Sequence, residues 1–348
     1  MPQTVRVGLV GAGNFTISRI LPGFAAVAGC EVVAVANRRL ETAEKVAAQF
    51  SIPKASGDWR AVVENPDVDA VFIGTPPYAH KEVALAALQA GKHVLCETRI
   101  ATSAADALDM HNAAEAAKAR GVRSALVPPA PWYRGRRFVE HLVKSGYLGR
   151  LTQVQAFNMN GSMADPTTPL SVGRNELDLY GPYNAAQLGL TYDVMAPWTG
   201  HATRVVAHRA TFTPERPLTP GGPMTKAPYP EEVTAIAETE GGAVMLNMLN
   251  WASHFSESRI ELYGDAGTLV YKLRGDSILA ARAGDAALKE LPIPPEHEGA
   301  WLAEDEFVRL IRGEIAEPGF SFWDGVKNMR YLEAVYKSGS EGRAVEVG

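Results

Sequence analysis

The chain of 348 residues is long enough for two domains, and its 46% hydrophobic and 21% charged residues are an ordinary globular balance. A formal net charge of −5 without a long basic run speaks against nucleic acid as a partner. No stretch is apolar for long enough to cross a bilayer. The start, one arginine and an apolar run leading into a glycine turn, does not read as a signal peptide, so a cytoplasmic protein is expected.

In chain order, Val5 to Val10 is short and apolar, as a fully buried strand is. Gly11 and Gly13 follow, with a helix behind them, which is the start of a dinucleotide-binding βαβ unit. Gly11 allows the tight turn, and Gly13 lets backbone N–H groups approach a pyrophosphate at the helix N-terminus. Thr16 stands where the third glycine of Gly-x-Gly-x-x-Gly serves close helix–strand packing. The second strand, Glu31 to Ala36, ends at Asn37-Arg38-Arg39, about 24 residues past Gly13, where the fingerprint expects the ribose-reading residue. Asn37 is neutral, and Arg38 and Arg39 suit a 2′-phosphate, so the balance leans to NADP over NAD; the bland alternative is two solvated arginines at a helix start.

Glu41 to Phe50 has helical spacing, Trp59 to Val63 reads as a short helix, and Asp69 to Gly74 as a buried strand. His80 to Gln89 is an amphipathic helix, His93 to Glu97 a strand, Ser103 caps a helix reaching Arg120, and Val122 to Val127 is a further strand. Strands alternating with helices predict a doubly wound parallel sheet. Cys30 and Cys96 lie in these strands or at their ends, as free thiols of a reducing compartment do.

At Pro128 the pattern changes, giving domains 1–127 and 128–348. Arg137 to Ser145 is a helix, and then strands dominate: Leu151–Met159, Arg204–Thr213, Glu232–Thr239, Ala243–Ala252, Ser258–Tyr263 and Thr268–Leu273. Strands without intervening helices predict a mainly antiparallel sheet in an α+β domain. The proline-rich run Pro214 to Pro230 is an ordered loop or a lid. Ala303 to Arg312 and Phe322 to Lys337 close the chain as helices.

The order of these pieces resembles the Gfo/Idh/MocA family over nearly the whole chain. The resemblance rests on VGLVGAGN at Val7 to Asn14, on the long run Asn65 to Glu97, and on SGYLGRL at Ser145 to Leu151. IELYGDAGTL at Ile260 to Leu269 and SGSEGRAVEV at Ser338 to Val347 also match. It implies a Rossmann domain, a site between the two domains, and a C-terminal sheet that makes a homodimer or homotetramer. The cofactor site it implies takes Gly11, Gly13, Asn14 and Phe15 from the first turn and Asn37 and Arg38 from the second. Thr75, Pro76 and His80 come from the third, and Glu97 and Thr98 from the fourth.

The resemblance also exposes departures. Where the family continues Glu-Lys-Pro, with a lysine that contacts the nicotinamide ribose and the reacting hydroxyl, this chain has Glu97-Thr98-Arg99. Where the family shows G-G-G-x-x-x-D-x-G-x-H, the best match is Gly181 to Thr191. Gln187 stands at the aspartate position and Thr191 at the acid/base histidine; a one-residue shift puts Leu190 there instead. Oxidising an alcohol needs a base, worth typically about 10²–10⁴-fold, and a threonine hydroxyl does not titrate near neutrality.

The candidate catalytic groups are therefore Tyr192, Asp193, Asp178, Thr98, Thr191 and Arg99, the last suited to a carboxylate or phosphate. Tyr180, Tyr183, His254, Trp132 and Tyr133 are further neighbours of the expected pocket, each equally at home as core or surface. No zinc spacing and no nucleophile elbow is visible, and no metal is expected. The expected function is an NAD(P)-dependent oxidoreductase acting on a small, carbohydrate-related substrate with non-standard acid/base groups. The alternatives are a redox-neutral lyase, hydratase or glycosidase on the same scaffold, and a non-catalytic sensor.

Overall fold

The computed structural model describes residues 4–128, 133–170, 180–182, 186–299 and 302–348. The chain divides into two compact units. The first holds the described residues up to Pro128, Tyr180, Gly181 and residues 302–329, and the second holds the remainder. The expected division at 127/128 leaves out this return of the chain to the first unit.

Among the described residues the first unit has six strands: β1 Val5–Val10, β2 Cys30–Ala36, β3 Lys54–Ser56, β4 Ala70–Ile73, β5 His93–Cys96 and β6 Ser124–Leu126. They form one parallel sheet in the order β3-β2-β1-β4-β5-β6. The order reverses between β1 and β4, which is where open sheets of this kind take their ligands. β4 is buried along its whole length, as a strand covered on both faces must be. The helices between strands are α1 Leu21–Ala26, preceded by a π-helical turn at Thr16–Ile20, α2 Leu40–Phe50, α3 Arg60–Val63, α4 His80–Gln89 and α5 Ala104–Lys118. Ser103 caps α5 as expected, its hydroxyl accepting from the Asp106 N–H at 3.1 Å. Cys30 and Cys96 are free thiols; burial lifts Cys30 to about 12 and raises Cys96 as well.

The second unit contains α6 Arg136–Lys144, β7 Leu151–Met159 and α7 Ala186–Thr199. The strands β8 Ala202–Ala210, β9 Glu215–Pro217, β10 Met224–Lys226, β11 Glu232–Thr239 and β12 Val244–Asn250 follow. Next come β13 Arg259–Gly264, β14 Gly267–Lys272, β15 Ser277–Arg282, β16 Lys289–Leu291 and, at the end of the chain, β17 Val345–Glu346. A nine-stranded sheet runs β16-β15-β14-β13-β7-β12-β11-β8-β17. It is antiparallel except for the pair β7–β12, whose connection passes through α7 and the four strands β8 to β11. Along β11 every second residue is buried, so one face of the sheet packs and the other carries Ile236 and Glu238 outward. Two last helices, α8 Ala303–Ile311 and α9 Phe322–Glu341, lie between β16 and β17. α9 runs from the first unit through Met329 into the second.

The proline-rich segment is a short hairpin of β9 and β10. It is pinned from below by Arg216, which is fully buried and donates to Glu231 Oε1 at 2.5 Å and to the carbonyls of Met163 and Asp165. Glu231 in turn accepts from the backbone N–H groups of Phe212 and Thr213. Both charges have partners on every side, which is the condition for burying them at all. No helix among the described residues is long and apolar enough to cross a membrane.

Candidate active site

The site in the first unit begins where β1 delivers the chain to Gly11. That residue has φ +89°, and a Cβ on it would stand 2.6 Å from the Thr75 nitrogen and 2.7 Å from the Gly74 carbonyl carbon. Both the left-handed backbone and the close approach of β4's end call for glycine. The Ala12 N–H is bonded to Asn37 Oδ1 at 2.7 Å, which ties the end of β2 to the turn. One lone pair of the Asn37 oxygen is thereby given to the backbone. Around Gly13 nothing lies within 4 Å of where a Cβ would be, and both it and Asn14 are exposed. Arg38 and Arg39 are exposed as well, and among the described residues neither guanidinium has a hydrogen-bond or ion-pair partner.

The missing third glycine has a structural counterpart. Thr16 is buried, its hydroxyl donates to the Gly11 carbonyl at 3.0 Å, and the space it takes is left by Gly74, whose Cβ would meet Thr16 Oγ1 at 2.7 Å. The close approach is kept, with the glycine on the strand side and the larger residue on the helix. The run ending at Gly74 carried this signal in the sequence, but only the pairing with Thr16 gives it meaning.

At the end of β4, the Thr75 hydroxyl is buried with no hydrogen-bond partner. Its carbonyl is held by His80 Nε2 at 2.6 Å, while His80 Nδ1 faces the Ile100 carbonyl at 3.1 Å. His80 is 1% exposed, and burial lowers its pKa against the pull of those carbonyls, with the nearby Arg99 charge adding to the effect. His80 thus ties the Thr75 turn to the Ile100 carbonyl.

One strand over, Glu97 follows the last paired residues of β4 and β5, Ile73 and Cys96, and donates its N–H to the Ile73 carbonyl at 2.9 Å. Its carboxylate is half-buried and has no hydrogen-bond or ion-pair partner among the described residues. Burial lifts its pKa to about 7. The Thr98 hydroxyl donates to the Val127 carbonyl at 2.5 Å, so it links the ends of β5 and β6. The following peptide bond, Thr98–Arg99, is cis. Arg99 is half-buried.

In the second unit, Thr191, Tyr192 and Asp193 follow one another on α7 and all are buried. Successive helix residues point about 100° apart, so three buried in a row mean a helix covered on most sides. Asn158 on β7 donates to the Thr191 hydroxyl at 3.2 Å. Asn247 on β12, itself fully buried, donates to the Leu188 carbonyl at 3.1 Å. The Tyr192 ring stacks on Tyr331 at 4.0 Å, and its hydroxyl accepts the Ala202 N–H and meets His201 Nδ1, each at 3.1 Å.

Burial drives the Tyr192 phenol far above its ordinary value. Its packed ring joins α7 to α9, and its hydroxyl holds β8. His254 is exposed on the loop after β12 beside the exposed Phe255. Tyr133 sets its ring edge-on to Tyr271, and Tyr180 is half-buried. Asp178, Tyr183 and Trp132 lie outside the described residues. No cluster of metal-ligating side chains occurs among the described residues.

The turn fits a dinucleotide on two observations of its own. The approach to the backbone at Gly13 is kept clear, and the neighbouring Thr75 hydroxyl is a buried polar group without a protein partner.

Comparison with known proteins agrees. Residues 5–124 match the oxidoreductase family with an NAD-binding Rossmann fold, and residues 137–270 match the Gfo/Idh/MocA C-terminal domain. A levoglucosan dehydrogenase of Pseudarthrobacter phenanthrenivorans is 26% identical over 99% of this chain and 98% of its own. An inositol 2-dehydrogenase of Saccharopolyspora erythraea is 28% identical over 99% and 97%. A levoglucosan dehydrogenase solved in complex with NADH and L-sorbose superposes with a TM-score of 0.86 at 25% identity, covering 99% of each chain. With both of its domains matched in order, the chain belongs to the Gfo/Idh/MocA family of NAD-binding oxidoreductases.

Proposed function

We propose that this oxidoreductase moves hydride between a nicotinamide dinucleotide and a hydroxyl-bearing carbon of a small polyol or sugar-like substrate, without the family's lysine and histidine. The observation that carries the reading is the cleared approach at Gly13 beside the unpartnered Thr75 hydroxyl. The substrate class is supported by relatives named for levoglucosan and inositol. When bound, the dinucleotide supplies the hydride acceptor or donor. The chain's part is to hold it with the turn Gly11 to Phe15, to orient it with the ends of β4 and β5, and to manage the proton.

NADP is proposed over NAD, because Asn37 brings no negative charge and Arg38 and Arg39 stand exposed and unpaired. Arg99 is proposed to hold an anionic or polar part of the substrate. Of the α7 residues, Asp193 is kept as a proposed site group and Thr191 as a positioning group. A second copy of the chain is proposed to cover the outer face of the nine-stranded sheet, where Val206, Ile236 and Val244 are exposed. The free thiols favour a reducing compartment such as the cytoplasm.

The test is titration calorimetry with NADP⁺ and NAD⁺, followed by a screen of polyols, anhydrosugars and inositols for reduced nicotinamide. Binding with NADP⁺ preferred, and reduction by at least one polyol, is expected; no binding of either dinucleotide overturns the reading.

A further inference from the structure

In the alignment read from the sequence, Thr98 and Thr191 fall at the family's lysine and histidine positions, and their hydroxyls are engaged within their own units. Thr98 is bonded to the Val127 carbonyl, and Thr191 is bonded by Asn158. Neither hydroxyl titrates near neutrality, so proton transfer must fall to another group. Glu97 meets the structural requirement. It sits at the ligand-binding end of a central strand, level with the Gly74–Thr75 turn that packs against Gly11. Its carboxylate is half-buried yet accepts no hydrogen bond and joins no ion pair among the described residues.

Its immediate neighbours along the sheet, Gly74 and Thr75 on one side and Val127 and Pro128 on the other, bring no charge, and neither does the turn Gly11 to Asn14. Cys96, just before it, is a buried thiol held protonated. Burial lowers the pKa of His80, and Arg99, two residues on, adds to that lowering. A half-buried carboxyl left this bare stays partly neutral near neutral pH, which suits a group that must both take and give a proton.

We infer that Glu97 exchanges the proton with the substrate hydroxyl. This rests on the dinucleotide reading above. In the oxidation, the alcohol O–H bond breaks and its proton passes to the Glu97 carboxylate. The C=O bond forms, and the hydride, with its electron pair, leaves the same carbon for an oxidised nicotinamide dinucleotide. In the reverse direction the neutral Glu97 acid returns the proton to the new alkoxide oxygen.

The test uses the full chain and needs no identified substrate. Glutamate carboxyl carbons labelled with ¹³C are titrated by NMR in the free protein, with Glu97→Gln to assign the signal. A midpoint close to 7 is expected; a midpoint at an ordinary carboxylate value of about 4–5 overturns the inference. Calorimetry at neutral pH in buffers of different ionisation enthalpy then counts protons on binding. The oxidised dinucleotide, whose ring is cationic, should release a fraction of a proton, and the reduced one should not. Glu97→Gln should bind both and release none.

With a polyol that turns over, Glu97→Gln should lose roughly a hundredfold in kcat, with KM little changed and the near-neutral limb of the pH profile gone. A variant with the wild-type proton count and kcat overturns the assignment of Glu97 and leaves the dinucleotide reading standing. A wild type that binds neither dinucleotide removes both.

Discussion

Thr16 and Gly74 occupy one volume between them: a Cβ on Gly74 would lie 2.7 Å from Thr16 Oγ1. It would also lie 2.6 Å from a ring carbon of Phe72 and 2.7 Å from the Gly11 carbonyl, which cannot move without opening the turn. Gly74→Ala should therefore cost about 1–3 kcal/mol of stability through overpacking. Adding Thr16→Gly should restore only part of that, since one of three contacts is relieved. Thermal unfolding of the single and double variants measures both.

Gly13 makes the opposite case. With nothing of the protein near its Cβ position, Gly13→Val should leave stability within about 0.5 kcal/mol of wild type. The same side chain fills the approach to the backbone, so dinucleotide binding should be lost. Unfolding and calorimetry on the same preparation separate the two. A variant that binds normally would mean the cleared space serves no ligand.

Asn37 offers a cleaner probe of cofactor choice than deletion does. Asn37→Asp preserves an oxygen to accept the Ala12 N–H and adds a negative charge where a 2′-phosphate would sit. It should weaken NADP binding and spare or improve NAD binding. Arg38→Glu should act in the same direction without touching the turn. Equal losses for the two dinucleotides in both variants would mean that this corner does not read the phosphate.

Much of the fold is legible because apolar period and turn residues speak for themselves. β7 and β11 have the bounds read from their alternation, and α4 has those read from its spacing. β3, β9, β10, β16 and β17 escape because two or three residues carry no period. Ser277–Arg282 escapes because its alanines favour no strand. The return of α8 to the first unit is a long-range packing choice that no local pattern encodes. At the site, the glycine turn and the strand-end residues stand out in the sequence. The duties of Asn37 and Tyr192 do not. A side chain's partner across 25 residues, or the side of a helix that is covered, is decided only when the elements pack.

The raised pKa of Glu97 makes a prediction about stability, with a definite sign. Its folded value, about 7, lies above the ordinary unfolded value of about 4.3. Between those limits the folded state binds more protons than the unfolded one, so stability falls as pH rises through the window. Below about pH 4 the penalty is absent; above about pH 7 it is complete, and is on the order of 1–3 kcal/mol. Glu97→Gln should therefore match the wild type in acid and exceed it in stability at pH 8. Denaturant unfolding across that range checks it, and parallel curves at both ends would contradict it.

The most direct measurement follows a deuterium-labelled polyol with oxidised dinucleotide under single-turnover conditions. The expected result is deuterium on the reduced nicotinamide and a ketone or aldehyde product, with the rate unaffected by Thr98→Val and cut roughly a hundredfold or more by Glu97→Gln. Tightly bound dinucleotide that never becomes reduced with any polyol, anhydrosugar or inositol would contradict hydride transfer without the family's lysine and histidine.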